Sequence, residues 1–180
     1  MELPELHYKK SEYVETASGN KVSRKSTLCG SQNIILVGKT ILMEGCMLRG
    51  DLANIKMGRY CVLREGSVVR PSFKTYAKGS SFYPTVIGDY VYVGKGAIVV
   101  ACSVGSYVHV GDGAVVGKGS ILKECCAVLD GAVVPSDTVV PPFAVVAGNP
   151  AVVVGETPDT TADLMKEAST TFFERFRPEA

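Results

Sequence analysis

Between Ile87 and Val146 an aliphatic side chain recurs every six positions with a single one-residue slip: Ile87, Val93 and Val99, then Val104, Val110, Val116, Leu122, Val128, Val134, Val140 and Val146. A beat of six matches neither the period of a helix nor the alternation of a half-buried strand. Glycine follows the beat at 88, 94, 105, 111 and 117. A small or β-branched residue stands four places after it, at Val91, Ala97, Ser103, Val108, Ala114, Ser120, Cys126, Ala132, Thr138 and Ala144. This is the hexapeptide repeat of a left-handed parallel β-helix.

The residue types follow from that geometry. Each hexapeptide makes one side of a triangular coil, so the beat residue fills the axis, the small residue fits near a corner, and glycine relieves the tight turn. Three hexapeptides close a coil, and coils stack as parallel strands about 4.8 Å apart. Because the winding departs from the right-handed crossover rule, only a sustained repeat licenses it. The expected fold class is all-β: a single-domain left-handed parallel β-helix with a C-terminal α-helix.

The beat extends backward through Leu36, Leu42 and Leu48, and through Met57, Leu63 and Val69, with breaks between the blocks. These limits divide the chain into an N-terminal segment over 1–20, a β-helix over 21–154 and a tail over 155–180. Residues 71–84 (PSFKTYAKGSSFYP) interrupt the beat, and their prolines, Gly79, Ser80 and Ser81 predict a loop thrown out from one corner. Aromatic side chains on a loop either fold back on the coil or meet a partner. Phe73, Lys74, Tyr76, Lys78, Phe82 and Tyr83 are therefore the candidate partner-binding residues. In the tail, Thr160 with Asp163 reads as a capping box, and Leu164, Ala168, Phe172 and Phe176 line one face of a helix over about 160–176. That helix is expected to lie along a side of the solenoid.

Nineteen basic against eighteen acidic residues leave a formal charge of +1, which offers no field for nucleic acid. Met1 to Tyr13 lacks an apolar core, and no stretch reaches the ~18 apolar residues of a membrane span. The expectation is a soluble cytoplasmic protein without direct membrane insertion. The six cysteines contain no CxxC, and Cys46, Cys61 and Cys126 fall on the small-residue position, so they read as reduced packing residues. GDGAVVGKGS mimics a phosphate loop, but its glycine spacing is one too long and Gly119 follows Lys118 where Ser or Thr is needed. Arg49-Gly50-Asp51 reads as a charged pair at a coil corner. Of the two histidines, His7 lies in the polar N-terminal segment, and His109 stands between the inward Val108 and Val110, so its ring points outward. No three-histidine zinc set can be assembled.

The runs VIGDYVYVGKGA (Val86 to Ala97), VGSYVHVGDGAVVGKGS (Val104 to Ser120) and VVPPFAVVAGNPA (Val139 to Ala151), with Arg49-Gly50-Asp51, Gly58 and Gly66-Ser67, resemble the γ-class carbonic anhydrase lineage over roughly Leu36 to Val154. Three histidines bind zinc in those enzymes. The resemblance puts their places at Arg70, Lys95 and Val100, and two cations and an aliphatic are not zinc donors. It therefore implies no metal, no cofactor, no catalytic residue and no enzyme activity.

A narrower resemblance runs nearly the whole length. KKSEYVETASGNKVSRKSTLCGSQNIIL (Lys9 to Leu36), RGDLANIKMGRYCVL (Arg49 to Leu63) and GETPDTTADLM (Gly155 to Met165) are similar to the subunit-five family of dynactin, small β-helical subunits of the pointed-end complex. This implies a non-enzymatic structural and adaptor subunit. Its implied partners are dynactin subunit six, also β-helical, the actin-related protein cap, the p62-type subunit and cargo adaptors. The implied setting is cytoskeleton-associated, microtubule-based transport, including cargo attachment at early endosomes. The alternatives are a γ-carbonic anhydrase-like enzyme, a hexapeptide acyltransferase using His109, or an unrelated homo-oligomeric β-helix scaffold.

Overall fold

The computed structural model describes residues 5–180, so Met1 to Pro4 of the N-terminal segment lie outside the described residues. The hexapeptides wind into a left-handed parallel β-helix of about six coils. The first side of the prism carries Lys21–Ser23, Ile41–Leu42, Val62–Leu63, Tyr92–Val93, His109–Val110, Ala127–Val128 and Ala144–Gly148. The second carries Thr27–Cys29, Met47–Arg49, Val68–Val69, Ile98–Val99, Val115–Val116 and Val133–Val134. The third carries Ile34–Gly38, Ile55–Arg59, Thr85–Ile87, Ser103–Val104, Ile121–Leu122 and Val139–Val140.

The beat residues are in register down the axis. On the first side Val22, Leu42, Leu63, Val93, Val110, Val128 and Val146 pair in that order, coil to coil. Leu42, Leu63, Val110 and Val128 are fully enclosed, as are Cys46 and Cys61 at the small-residue position. At the slip the spacing rule fails: Ala101 fills the interior with no exposure, while Ser103 sits on the outward row beside Val86 and Ile121. Losing one residue between Val99 and Val104 leaves no room for the full sequence of inward positions.

Glycine after the beat does not serve the turn. A Cβ on Gly88, Gly94, Gly105 or Gly111 would stand 2.5–2.6 Å from a backbone nitrogen of the next coil, so these glycines permit the coils to stack. The turns are relieved elsewhere. At the corner between the first and second sides Gly45, Gly66, Gly96, Gly113 and Gly131 all have φ between 65° and 75°.

The corner between the third and first sides meets the same demand without glycine. Lys39, Tyr60, Tyr90, Tyr107, Cys125 and Phe143 adopt φ between 54° and 63° there. Such a conformation costs a bulky residue roughly 1–2 kcal/mol. Tyr60, Tyr90 and Tyr107 offset part of it by stacking nearly parallel in successive coils, with centroids 5.4 and 5.6 Å apart; aromatic pairs contribute about 0.5–1.5 kcal/mol.

Residues 71–84 form more structure than a loop: Ser72–Tyr76 and Gly79–Tyr83 pair antiparallel as a β-hairpin. The C-terminal helix spans Thr161–Arg175, and its N-terminus differs from the capping-box reading. Thr160 makes no side-chain cap bond, and the Thr161 hydroxyl instead donates to the Pro158 carbonyl, 2.6 Å away. The buried residues are Thr161, Ser169 and Phe172, while Leu164 is 52% exposed. Phe172 and Phe176 set that rotation by anchoring in a second core with Tyr8, Ile41, Met43 and Val62 on the outside of the first side. Leu6–Tyr8 pairs parallel with Phe176–Pro178, so both ends of the described chain strap across one side of the prism.

Val110 is fully enclosed on the axis, and an aspartate there would place an unpaired carboxylate among aliphatic neighbours. Val110→Asp is expected to cost at least about 3 kcal/mol, read as a collapsed or absent cooperative transition in urea unfolding.

Candidate functional site

The hairpin leaves the prism at the corner between the second and third sides and is tied down at its base. The Ser72 hydroxyl donates to the Val100 carbonyl and accepts from the Gly119 amide at 2.9 Å, reaching the two following coils. The arm beyond is solvent-facing. Phe73 and Phe82 sit cross-strand with centroids 5.0 Å apart, and Tyr76 meets Tyr83 edge-on at 6.4 Å. Lys74 Nζ lies 5.1 Å from the Tyr83 centroid. Phe73, Tyr76 and Tyr83 are 40%, 48% and 38% exposed, so the aromatics pack on one another without folding back into the core. Lys74 and Lys78 are exposed, and no acidic residue occurs between Pro71 and Pro84. All six candidate residues thus share one cationic, aromatic arm.

The three zinc-ligand places do not come together. Arg70 and Val100 follow the paired strands Val68–Val69 and Ile98–Val99, so they are neighbours at one edge of the second side. Lys95 is at the opposite edge, with its Nζ 3.7 Å from Glu65 Oε2 and its amide donating to Asp112 Oδ1 at 2.8 Å. Among the described residues no group of three His, Cys, Asp or Glu could hold a metal ion. Arg49 and Asp51 satisfy one another at 2.9 and 3.0 Å. All six cysteines are free thiols, and burial pushes those of Cys46, Cys61 and Cys126 up to about 12, far from a nucleophile's range.

His109 points outward, as its neighbours require, yet it is not left in water. Its ring stacks on Tyr92 at 5.0 Å and an interplanar angle of 4°. The C-terminal helix closes over the pair through Met165, Ala168, Ser169 and Phe172, leaving a crevice of about 260 Å³ that Val62 and Arg64 complete. Arg64 donates to the Tyr92 hydroxyl at 2.8 Å and pairs with Glu65 at 3.3 Å, so its guanidinium is already engaged. His7 lies on the strap beside Arg177, where its Nε2 is 3.4 Å from Glu5 Oε2. The two histidines lie on different strands of the fold, and among the described residues His109 has no carboxylate hydrogen-bonded to orient it as a base would need. Sequence reasoning missed this covering of His109, because nothing in the repeat says which side the tail occupies.

The family model described as dynactin subunit 5 matches residues 1–180. A dynactin subunit 5 of Dictyostelium discoideum is 43% identical over 178 residues, covering 99% of this chain and 90% of that protein. A mitochondrial gamma carbonic anhydrase 2 of Arabidopsis thaliana is 33% identical over 118 residues, 65% of this chain but 42% of that protein. Among solved structures, a hexapeptide transferase family protein of Anaplasma phagocytophilum superposes with a TM-score of 0.65 at 19% identity, covering 89% of this chain and 92% of its own. An N-acyltransferase of Bacillus cereus gives 0.70 at 11% identity, covering 94% and 98%. At such identities the structural likenesses establish the fold alone.

Burial lowers the His109 pKa from 6.5, with Asp130 and Asp112 pulling weakly the other way. The unfolded chain therefore takes up this proton before the folded one does, so the stability His109 allows is complete above about pH 6.5 and is lost as pH falls below it. Tm is expected to drop as pH falls below about 6.5, and His109→Gln, which keeps the bulk without the titration, should flatten that part of the profile in a calorimetric series.

Proposed function

The chain belongs to the dynactin subunit 5 family, and on that premise we propose that it is a non-enzymatic structural and adaptor subunit of the dynactin pointed-end complex. The observation that carries this reading is the reach of the similarity. It spans 178 residues of the Dictyostelium protein, which takes in the strap, the hairpin and the helix as well as the repeat. The carbonic anhydrase match covers only 118. In this reading the molecule works by shape. A solenoid gives rigid flat sides, and the strand edges at its two ends favour a neighbour that covers them.

Its partners are dynactin subunit six, the actin-related protein cap, the p62-type subunit and cargo adaptors. Its place is cytoplasmic and cytoskeleton-associated, in microtubule-based transport that includes early endosomes. The thiols, the covered His109 and the engaged Arg64 support a role without chemistry. No helix among the described residues is long and apolar enough to cross a membrane.

Affinity isolation of the tagged full chain, with mass spectrometry of what stays bound, is expected to recover pointed-end dynactin components. Failure to recover them, stoichiometric zinc by elemental analysis, or acetyl transfer abolished by His109→Ala would each overturn the proposal. The hairpin supplies a separate expectation. Replacing Phe73, Tyr76, Phe82 and Tyr83 by Ser should lower that recovery several-fold while leaving the melt of the prism nearly unchanged, since these side chains lie outside both cores.

A further inference from the structure

The prism has three sides, and among the described residues the strap and helix lie on one of them. The strap and helix occupy the first side, where Ile41 and Val62 are 0% and 2% exposed although they stand on the outward row. On the second side the same outward row begins at an exposed Thr27 and then holds Met47, Val68, Ile98, Val115 and Val133, an aliphatic side chain in each of five successive coils. The strap and helix do not pair with them: Ile98 is 38% exposed, and the other four are half-buried. The third side is different. Its row reads Ile35, Lys56, Val86, Ser103, Ile121 and Val139, so an exposed lysine and a serine break the aliphatic strip.

At the corner between the second and third sides the charge has one sign in excess. Arg70, Lys74, Lys78 and Lys118 gather at the corner where the hairpin leaves, all exposed, none in an ion pair among the described residues, with Asp137 the nearby carboxylate on the same corner. Arg49 is already neutralised by Asp51. Area sets a further condition. Six coils at about 4.8 Å make a side ~29 Å tall, and a hexapeptide's width of ~16 Å gives ~450 Å². A stable interface needs about 800 Å² per partner. Something that binds this side tightly must therefore reach beyond it, and the hairpin with its lysines extends one margin.

We propose that the second side and the hairpin together form one docking surface for a different protein, whose contact face is a flat aliphatic strip bordered by Asp and Glu side chains. A second copy of this chain laid with its hairpin against this one fits the strip but not the margin, because it would bring four unpaired cations and one carboxylate to a corner that already holds the same set. The aliphatic row supplies the buried contact, and the cationic corner fixes orientation and rejects partners with a basic rim. This rests on the reading of the chain as a dynactin subunit and names the side of the prism through which it joins the complex.

The test uses the tagged full chain co-purified with dynactin. Ile98→Glu with Val115→Glu is expected to reduce recovery of the complex by about tenfold, and Arg70→Glu with Lys118→Glu should do so in a salt-dependent way. Val86→Glu with Val139→Glu, the matching change on the third side, should leave recovery intact; a Tm unchanged from wild type keeps each comparison valid. Zero-length carbodiimide coupling of the assembled complex should join Lys74, Lys78 or Lys118 to carboxylates of another subunit, a readout that needs no substitution. Normal recovery for folded second-side variants, loss confined to the third-side variants, cross-links absent from all three lysines, or a dimer of the isolated chain by light scattering that Ile98→Glu dissolves would each overturn the inference. Wild type recovering no dynactin would instead remove the functional reading beneath it.

Discussion

Backbone hydrogen bonds between successive coils are the constraint from which the rest of this molecule follows. On every side the amide of one coil finds a carbonyl of the next, as Tyr92 finds Val108 and Gly94 finds Val110. That ladder requires the coils to approach to strand spacing at their corners as well as along their sides. Glycine after the beat is the result: Gly94 and Gly111 leave room for the backbone of the following coil, and Asp112 and Asp130 reach back through that space to accept from the amides of Lys95 and Asp112. A side chain at either glycine would separate the coils and break the ladder that satisfies the whole backbone.

A prism built this way has no concave face of its own in which to assemble chemistry. Its inward positions are filled by Leu42, Leu63, Val110 and their fellows, and its outward positions form flat rows. Enzymes with related folds need donors or a base on those rows. Here the rows and edges carry Arg70, Lys95 and Val100 where the γ-class resemblance puts zinc ligands, and a histidine stacked beneath a helix. What remains is a rigid body with one side closed by its own strap, two sides left open by the described residues, and an aromatic, cationic arm between them. Those features suit a subunit that positions other proteins.

The axial and small-residue positions were legible in the sequence because each beat residue has only one place to go. Leu36, Leu42 and Leu48, and Met57, Leu63 and Val69, could be joined to the main repeat across breaks for that reason, and they pair in register. Ser103 was misplaced because a one-residue slip alters which positions face inward, and only the neighbouring coils determine how the slip is absorbed. Residues 71–84 looked like a loop since Gly79 and the serines dominate the reading, whereas pairing of Phe73 with Phe82 makes a hairpin. Leu164 belonged to the helix's apolar stripe on paper, but the rotation is set by Phe172 and Phe176 docking on Tyr8, Ile41 and Val62.

The repeat by itself determined the coil and its axis, since these depend on residue type at a fixed spacing, while the γ-class resemblance is what puts Arg70, Lys95 and Val100 at ligand places. Tertiary structure alone decided which side of the prism the termini cover, how the hairpin is anchored through Ser72, and that the tyrosine corner tolerates left-handed backbone by stacking. The three sides of a triangular coil share one local pattern, so no local signal distinguishes them. The choice is made by contacts between residues far apart in sequence, such as Tyr8 with Phe176 and His109 beneath Phe172.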